Sequence, residues 1–533
     1  MHHSIPRIRA AIVALLCCAT PGLASAETGP TALTTQGRIA GVMATPKVRA
    51  FLGVPFAAPP VGPLRWKAPQ PSPAWRGIRD ARHFAARCMQ QPLFSDMMFR
   101  SPGISEDCLY LNIWAPVASA GKHAAKLPVL FYIHGGGFLA GDGSERRYDG
   151  ASMAARGMVV ITLNYRLGAF GFLAHPGLTT ESPRHASGNY GLLDQAAALA
   201  WARRNVAAFG GDPARITIGG ESAGSMSVNA LMASPVTRTG FARAIGESGA
   251  AMAPTIVLQS RAQAEAAGLG FATSIGAPTL AALRALPADR LLAAQGTARA
   301  IRFAPIVDGD FLIETVADSF AAGRQARVPL LLGSNSQEGG PGNILGEAQP
   351  TVANYRAALT RLAGDKADAL FALYPAASDG DVSAATTDLA SDQFIAGSTW
   401  KWFDLHRRSG APTYYYRYVH VRPAFVQPPP GAASGVAAGA VHSAEIEYAL
   451  GNLDANPEYR WTDADRRVSA MMQGYFANFV ITGNPNGAGL PAWPAAPRDE
   501  QPISRQIIDV DTRSAPFPEQ ARYRAAEALL PLR

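Results

Sequence analysis

Two uninterrupted apolar runs constrain the fold of this chain more than any other feature of its sequence. Residues 129–133 read VLFYI and residues 159–165 begin with VVITL. Runs without polar alternation are typical of strands buried on both faces, as in a sheet covered by helices. Alanine-rich stretches at helical spacing accompany them, such as residues 192–206. Strands that alternate with helices predict an α/β fold with a large, mostly parallel central sheet.

The bulk composition of the 533 residues is that of a large globular protein. Hydrophobic residues make up 48% and charged residues 17%, which is enough apolar material for an extensive core and too little charge for disorder. The formal net charge of +8 comes mainly from arginines. These are scattered singly or in pairs, and no basic tract or recognisable binding module accompanies them. We therefore expect no nucleic-acid partner.

The first residues have the pattern of an export signal. Arg7 and Arg9 precede an apolar run at residues 10–18, and the small-x-small tripeptide ASA follows at residues 24–26. The run is too short to serve as a permanent membrane anchor. Residues 1–26 are therefore predicted to be a signal peptide that directs the protein to the periplasm or the medium. A lipid-anchored form is disfavoured, because the cysteine at the end of the run lacks the small residues that should precede it.

Removal of the signal leaves only two cysteines, Cys88 and Cys108. In an exported protein, two cysteines that close a short loop favour a single disulfide over two buried thiols, the alternative that the sequence leaves open. Residues 27–533 are predicted to form one catalytic domain. The mainly helical intervals 262–326 and 352–373 are interpreted as insertions that cover the catalytic edge of the sheet.

The central chemical signal is the G-x-S-x-G pattern around Ser222, at residues 220–224. A serine hydroxyl is a weak nucleophile, and a sharp strand-to-helix turn holds it where a base can reach it; the cramped backbone of that turn demands small neighbours. A strand pattern at residues 215–218 and a helical pattern at residues 226–232 provide this context. Ser248 lies in the similar GESGA, but no clear helix follows, so we expect it to be a poor nucleophile.

Three glycines follow the first apolar strand, in the sequence HGGGF at residues 134–138. Consecutive glycines allow backbone N–H groups to turn toward one point without obstruction by side chains. Binding an oxyanion requires this, and one such donor typically contributes about 3–4 kcal/mol of transition-state stabilisation.

With these motifs in this order, the sequence resembles the type-B carboxylesterases, a family that includes cholinesterases and bacterial para-nitrobenzyl esterases. Further matching blocks are FLGVPFA at 51–57, PLRW at 63–66, SEDCLYLN at 105–112, NYRLG at 164–168 and GNYGLLDQ at 188–195. The resemblance implies the α/β-hydrolase fold, hydrolysis of small-molecule carboxylic esters through an acyl-enzyme, and a catalytic order of Ser, Glu and His.

The resemblance also implies the partners of Ser222. The pattern GSNSQEG at residues 333–339 identifies Glu338 as the acid, although the family often has an acidic residue where Gln337 stands here. The pattern GAVHSAEIEY at residues 439–448 identifies His442 as the general base. No metal or organic cofactor is expected.

Several further assignments rest on the same resemblance. They comprise oxyanion donors at the N–H groups of Gly136, Gly137 and Ala223, supporting positions near the triad at Glu221 and Ser248, ion pairs Arg65–Glu106 and Arg166–Asp194, and a first disulfide loop between Cys88 and Cys108.

The sequence leaves the substrate and the oligomeric state open. The same triad could hydrolyse amides or carbamates, and the fold also hosts adhesion proteins, although these usually lack a triad member. Apolar residues of the cysteine loop could line a gorge or pack into the core: Phe94, Met97, Met98 and Phe99. For a second aromatic group, Trp400, Trp402 and Phe403, the spacing favours core packing.

Overall fold

The computed structural model describes residues 1–2, 29–117, 126–298, 301–427, 437–499 and 501–530. Nearly all of the predicted signal peptide, residues 1–26, therefore lies outside the described residues. Within the described ranges, no helix combines the length and apolarity needed to cross a membrane.

Sixteen strands occur in the described ranges. In chain order they are β1 Thr31–Leu33, β2 Arg38–Ala40, β3 Val42–Thr45, β4 Val48–Pro55, β5 Ile78–Asp80, β6 Arg87–Cys88, β7 Ile104–Ser105, β8 Tyr110–Pro116, β9 Leu127–Ile133, β10 Val159–Leu163, β11 Gly211–Glu221, β12 Arg243–Glu247, β13 Leu330–Asn335, β14 Thr413–Tyr418, β15 Ser504–Ile508 and β16 Arg513–Pro516.

The helices cover the sheet and fill the long connections. In chain order they are α1 Ala151–Ala154, α2 Gly168–Phe172, α3 Pro176–Glu181, α4 Tyr190–Asn205, α5 Ala223–Ala233, α6 Arg261–Ser274, α7 Leu280–Ala285, α8 Ala288–Thr297, α9 Val316–Ala321, α10 Gly342–Leu345, α11 Val352–Ala363, α12 Ala367–Leu373, α13 Asp379–Ser391, α14 Gly397–Arg407, α15 Ile446–Leu450, α16 Asp463–Thr482 and α17 Gln520–Leu529.

Eleven strands form the central sheet, in the order β16-β15-β14-β13-β12-β11-β9-β10-β8-β4-β3. The seven strands from β15 to β10 run parallel to one another, whereas β16 at one end and β8, β4 and β3 at the other pair antiparallel. The prediction of a mostly parallel α/β sheet is confirmed. Since parallel strands end at the same edge, the segments after β9, β11 and β13 meet there.

The apolar run that predicted β9 is buried on both faces of the sheet. Phe131 and Ile133 belong to one hydrophobic core, while Leu130 and Tyr132 belong to a second core on the opposite face. Each of these side chains is at most 2% exposed. Helices on both faces supply the remaining contacts, which explains why the strand lacks polar alternation.

The helical insertions enter the chain where the parallel strands end. The interval 262–326 contains α6 to α9, and the interval 352–373 contains α11 and α12, as predicted, although residues 301–315 are not helical. Strand β13 begins at Leu330, directly after Pro329, which has no N–H for the ladder.

Covalent and ionic links brace the loops near the amino-terminal part of the sheet. Cys88 and Cys108 form a disulfide with their Cα atoms 5.0 Å apart, which confirms the pairing and excludes free thiols. Arg65 binds Glu106 through two hydrogen bonds of 2.6 Å. The second predicted ion pair, between Arg166 and Asp194, is buried and also two-pronged.

Candidate active site

Ser222 lies in the turn between β11 and α5. Its φ of 55° is in the left-handed region, a strained conformation for a residue with a side chain. The flanking positions admit no larger residue, because a Cβ on Gly224 would lie 2.0 Å from the carbonyl oxygen of Ile133. Helix α5 begins at Ala223, so its N-terminus favours negative charge that develops beside the serine.

His442 lies within hydrogen-bonding distance of this serine, and Glu338 lies within hydrogen-bonding distance of His442. The Ser222 Oγ is 2.9 Å from Nε2 of His442, and Nδ1 of the same ring is 2.7 Å from Glu338 Oε2. With the proton on Nδ1, the ring donates to Glu338 and accepts from the serine hydroxyl. The geometry therefore permits Ser222 to transfer its proton to His442.

Backbone contacts hold the acid and the base in register. Glu338 follows β13, and its Oε1 accepts a 2.6 Å bond from the N–H of Asn335. Gln337 donates its N–H to the carbonyl of Ala440, which joins the loop of Glu338 to the loop of His442. The family often has an acidic residue at the position of Gln337. The contact with Ala440 uses the backbone N–H of Gln337, so it does not depend on which side chain is present.

The glycine loop after β9 runs alongside Ser222. A Cβ on Gly135 would lie 3.2 Å from the Ser222 Cβ. Gly136 and Gly137 have φ values of 101° and 65°, which a side chain would strain. Within the part of the chain that the structure describes, the N–H groups of Gly136, Gly137 and Ala223 have no hydrogen-bond acceptor. All three are therefore available to an oxygen atom bound next to the serine.

The two supporting residues predicted from the sequence both contact this group. Glu221 is buried, and its Oε1 lies 3.4 Å from His442 Nε2. Ser248 donates its hydroxyl hydrogen to Glu338 Oε1 at 2.7 Å. Sequence reasoning did not identify two further neighbours, Ser443, which donates to Glu221 Oε1 at 2.5 Å, and the buried Glu445, which lies 3.2 Å from the Ser248 hydroxyl.

Buried carboxylates dominate the electrostatics of the site. Burial alone would lower the pKa of His442, but the charges of Glu221, Glu338 and Glu445 raise this pKa to about 9. Burial raises the pKa of Glu445 to about 8, with repulsion from Glu221 and Glu338 acting in the same direction. The arrangement favours an imidazolium at His442, the species formed when it accepts a proton.

A phenylalanine that sequence reasoning missed covers the imidazole. Phe394 lies in a π-helical turn, Asp392–Ala396, between α13 and α14, and its ring packs edge-on to His442 at 5.1 Å between centroids. Its side chain is 45% exposed, unlike those of the core aromatics. A π-helical turn is a frequent feature of functional sites, but no local sequence pattern predicts it.

The two groups of apolar residues that the sequence left open differ in burial. Trp400, Trp402 and Phe403 are at most 3% exposed, so core packing is confirmed. The four apolar residues of the cysteine loop are not fully buried, and Phe94 is 45% exposed. Met97 lies beside Gly136, which favours the gorge interpretation for this residue.

Comparison with known proteins agrees with this geometry. Residues 28–525 match the model of the carboxylesterase family. The fumonisin B1 esterase of Sphingopyxis macrogoltabida is 37% identical over 480 residues, which cover 86% of this chain and 83% of that relative. The pyrethroid hydrolase Ces2e of Rattus norvegicus is 34% identical over 541 residues, covering 94% and 90% of the two chains.

Solved structures show the same likeness. A PNB esterase structure superposes with a TM-score of 0.78 at 32% identity, covering 95% of this chain and all of the other. The Geobacillus stearothermophilus carboxylesterase EST55 superposes with a TM-score of 0.78 at 31% identity, covering 93% and 99% of the two chains. The central sheet and its helices are therefore those of an α/β-hydrolase.

Proposed function

Because this chain belongs to the carboxylesterase family and is a carboxylic ester hydrolase, we propose that it cleaves esters through an acyl-enzyme on Ser222. The observation that carries the proposal is the continuous hydrogen-bonded series from the Ser222 hydroxyl to His442 and on to Glu338, with distances of 2.9 and 2.7 Å. In this series a base contacts the nucleophile and a carboxylate orients the base.

In the acylation step, Ser222 Oγ attacks the ester carbonyl carbon while its proton passes to His442 Nε2. Glu338 stabilises the imidazolium without taking the proton. The carbonyl π electrons move onto oxygen, where the N–H groups of Gly136, Gly137 and Ala223 donate to the negative charge. Loss of one such donor typically lowers kcat by about 10²–10³-fold.

The tetrahedral intermediate then collapses. The bond from the carbonyl carbon to the alcohol oxygen breaks, and His442 Nε2 returns its proton to the departing alkoxide. Water next gives a proton to His442 and attacks the acyl carbon. Collapse of this second intermediate releases the carboxylic acid and restores the Ser222 hydroxyl. Each proton moves at Nε2, the only ring nitrogen that contacts the serine.

We also propose that residues 27–533 form one catalytic unit. The central sheet takes strands from β3 through β16, so it draws on nearly the whole described chain. Residues 1–26 are proposed as a signal peptide removed on export, and the Cys88–Cys108 disulfide is consistent with an oxidising compartment. The mass of the exported protein tests this, because cleavage after Ala26 would leave Glu27 at the N-terminus.

The experiment for the acyl-enzyme compares the parent with Ser222→Ala on p-nitrophenyl esters from acetate to palmitate. We expect kcat to fall at least about 10⁴-fold in the variant. The matched control is Ser234→Ala, which removes a buried hydroxyl at the other end of α5, and it should retain parental activity. Brief reaction of the parent should add one acyl mass, mapped to Ser222. Undiminished turnover by Ser222→Ala would overturn the proposal.

A further inference from the structure

Nε2 of the His442 imidazole faces two side-chain oxygen atoms, and only one of these contacts is useful for catalysis. This nitrogen lies 2.9 Å from Ser222 Oγ and 3.4 Å from Glu221 Oε1. Whenever Nε2 carries a proton, a small rotation of the ring toward the carboxylate would give a stronger, charge-assisted hydrogen bond. The serine would then lose its base, so something must limit the attraction of Glu221 for Nε2.

Ser443, the next residue in the chain, contacts the same carboxylate oxygen. Its hydroxyl donates to Glu221 Oε1 at 2.5 Å. The backbone of Ser443 has a φ of 65°, a left-handed conformation in which glycine is favoured over a residue with a side chain. The chain therefore carries a hydroxyl at a position where backbone conformation alone would select glycine.

Ser443 is fixed from both sides. Its carbonyl accepts a 2.9 Å bond from Nη2 of Arg422, and Arg422 in turn pairs with the buried Glu447 at 2.9 Å. Glu221 is 2% exposed and its position is constrained by the end of β11. The hydroxyl and the carboxylate oxygen therefore meet in a rigid geometry.

We infer that Ser443 is a positioning residue: its hydroxyl occupies Glu221 Oε1 and so leaves Nε2 of His442 to Ser222. The inference rests on the proposed function, because it concerns the base that serves Ser222. Glu221 then acts on the imidazolium through its charge, at 3.4 Å, and does not capture the ring.

The charges around the pair fix the sign of the expected pH effect. The titratable and charged groups that face it are three carboxylates, one guanidinium and four phenols, in addition to the Ser443 hydroxyl: Glu247 at the end of β12, Glu338 after β13, Glu445 ahead of α15, Arg147, Tyr132, Tyr148, Tyr165 and Tyr416. Removal of the hydroxyl takes a donor away from the carboxylate. The first proton taken up by the Glu221–His442 pair is then held more tightly, whichever group carries it. The acid limb of kcat/KM therefore moves to higher pH.

The test measures pH profiles of p-nitrophenyl butyrate hydrolysis for the parent, Ser443→Gly and Ser443→Ala. We expect both variants to lower kcat about three- to tenfold with KM unchanged, and to move the acid limb by about half a pH unit upward. Glycine accepts the left-handed backbone without strain, so an effect shared by both variants belongs to the hydroxyl. A parental profile in Ser443→Gly overturns the inference.

Two further measurements separate this inference from the proposed mechanism. In a Glu221→Gln background, adding Ser443→Gly should leave the profile unchanged, because the carboxylate that it acts on is gone. In Ser222→Ala, which cannot form an acyl-enzyme, the proton NMR titration of His442 should still move upward when Ser443→Gly is added. If Ser222→Ala retains full activity, the acyl-enzyme fails, while the NMR titration still decides the role of Ser443.

Discussion

Two Glu-Ser turns lie side by side at the ends of neighbouring parallel strands. Glu221-Ser222 ends β11 and Glu247-Ser248 ends β12, with Glu221 and Glu247 paired in register. The two serines have nearly equal φ values, 55° and 52°. Strand geometry and local sequence therefore place both hydroxyls at the same edge of the sheet in the same strained conformation.

The two turns differ in the structure of the next segment and in the partner of the serine hydroxyl. Helix α5 starts directly after Ser222, whereas no helix starts after Ser248 until α6. Ser222 contacts the imidazole of His442, and Ser248 donates to the carboxylate of Glu338. Ser222 is 8% exposed and Ser248 is completely buried. Of the two strained serine turns, only that of Ser222 therefore has both a base in contact and an open approach, as the proposed nucleophile requires.

Glu338 links the two turns, so its replacement should have the largest effect. One carboxylate oxygen contacts His442, and the other accepts from Ser248 and from the N–H of Asn335. In Glu338→Gln the amide cannot accept on both sides, and we expect kcat to fall about 10⁴-fold. Steady-state kinetics on p-nitrophenyl butyrate checks this, with circular dichroism to establish that the variant folds. A loss below about tenfold would contradict the proposed role of Glu338.

Ser248→Ala isolates the contribution of the second turn. It removes one of the hydrogen bonds on Glu338 Oε1 and leaves the Asn335 bond in place. A bond to a charged group contributes about 1.5–3 kcal/mol, and part of this should appear as a roughly tenfold lower kcat. Acylation by p-nitrophenyl butyrate should still map to Ser222. If Ser248→Ala lost as much activity as Ser222→Ala, the assignment of Ser222 rather than Ser248 as the nucleophile would be contradicted.

A contact remote from both turns should change stability without changing the chemistry. His420 donates to Asp465 at 2.9 Å and to Asp509 at 2.8 Å when protonated. Burial lowers its pKa, but these two hydrogen bonds outweigh burial, and the net shift raises the pKa of His420.

The raised pKa of His420 gives the sign of the stability change. The stabilisation is fully present below the unfolded value of about 6.5 and is lost as the pH rises through the folded pKa. In His420→Asn the unfolding free energy at pH 6 should fall by about 1–2 kcal/mol, with a smaller difference at alkaline pH. Urea unfolding across this range checks the prediction, and a difference that grows with pH would contradict it.

The smallest effect is expected from Glu247, the counterpart of Glu221 in the second turn. Burial raises its pKa well above the ordinary range, and Tyr132 donates to it at 2.8 Å. A neutral acid resembles an amide, and the amide oxygen can still accept from Tyr132, so Glu247→Gln should change the unfolding free energy by about 1 kcal/mol or less. Its pH profile of kcat/KM should match that of the parent. By contrast, Glu221→Gln should move the acid limb to lower pH, because Glu221 is the strongest charge that raises the pKa of His442.

Much of the fold could be predicted because its signals are local. The run at residues 129–133 identified a strand buried on both faces, and the pattern around Ser222 predicted the strand, the turn and the helix that are observed. Such patterns are predictive because the fold excludes larger residues at these positions. A Cβ on Gly224, for example, would have no room. The errors were at boundaries, as in the interval 262–326, where residues 301–315 are not helical.

The amino-acid sequence alone predicted the α/β class, the serine turn, the glycine loop and, through family resemblance, the candidates Glu338 and His442. The groups that surround the imidazole could be identified only from the three-dimensional arrangement of the chain. Ser443 contacts Glu221 across 222 residues of chain, and Phe394 contacts His442 from a π-helical turn between α13 and α14. The physical reason is that the order of strands in the sheet sets these contacts. No local pattern of side chains encodes which distant segments share one edge.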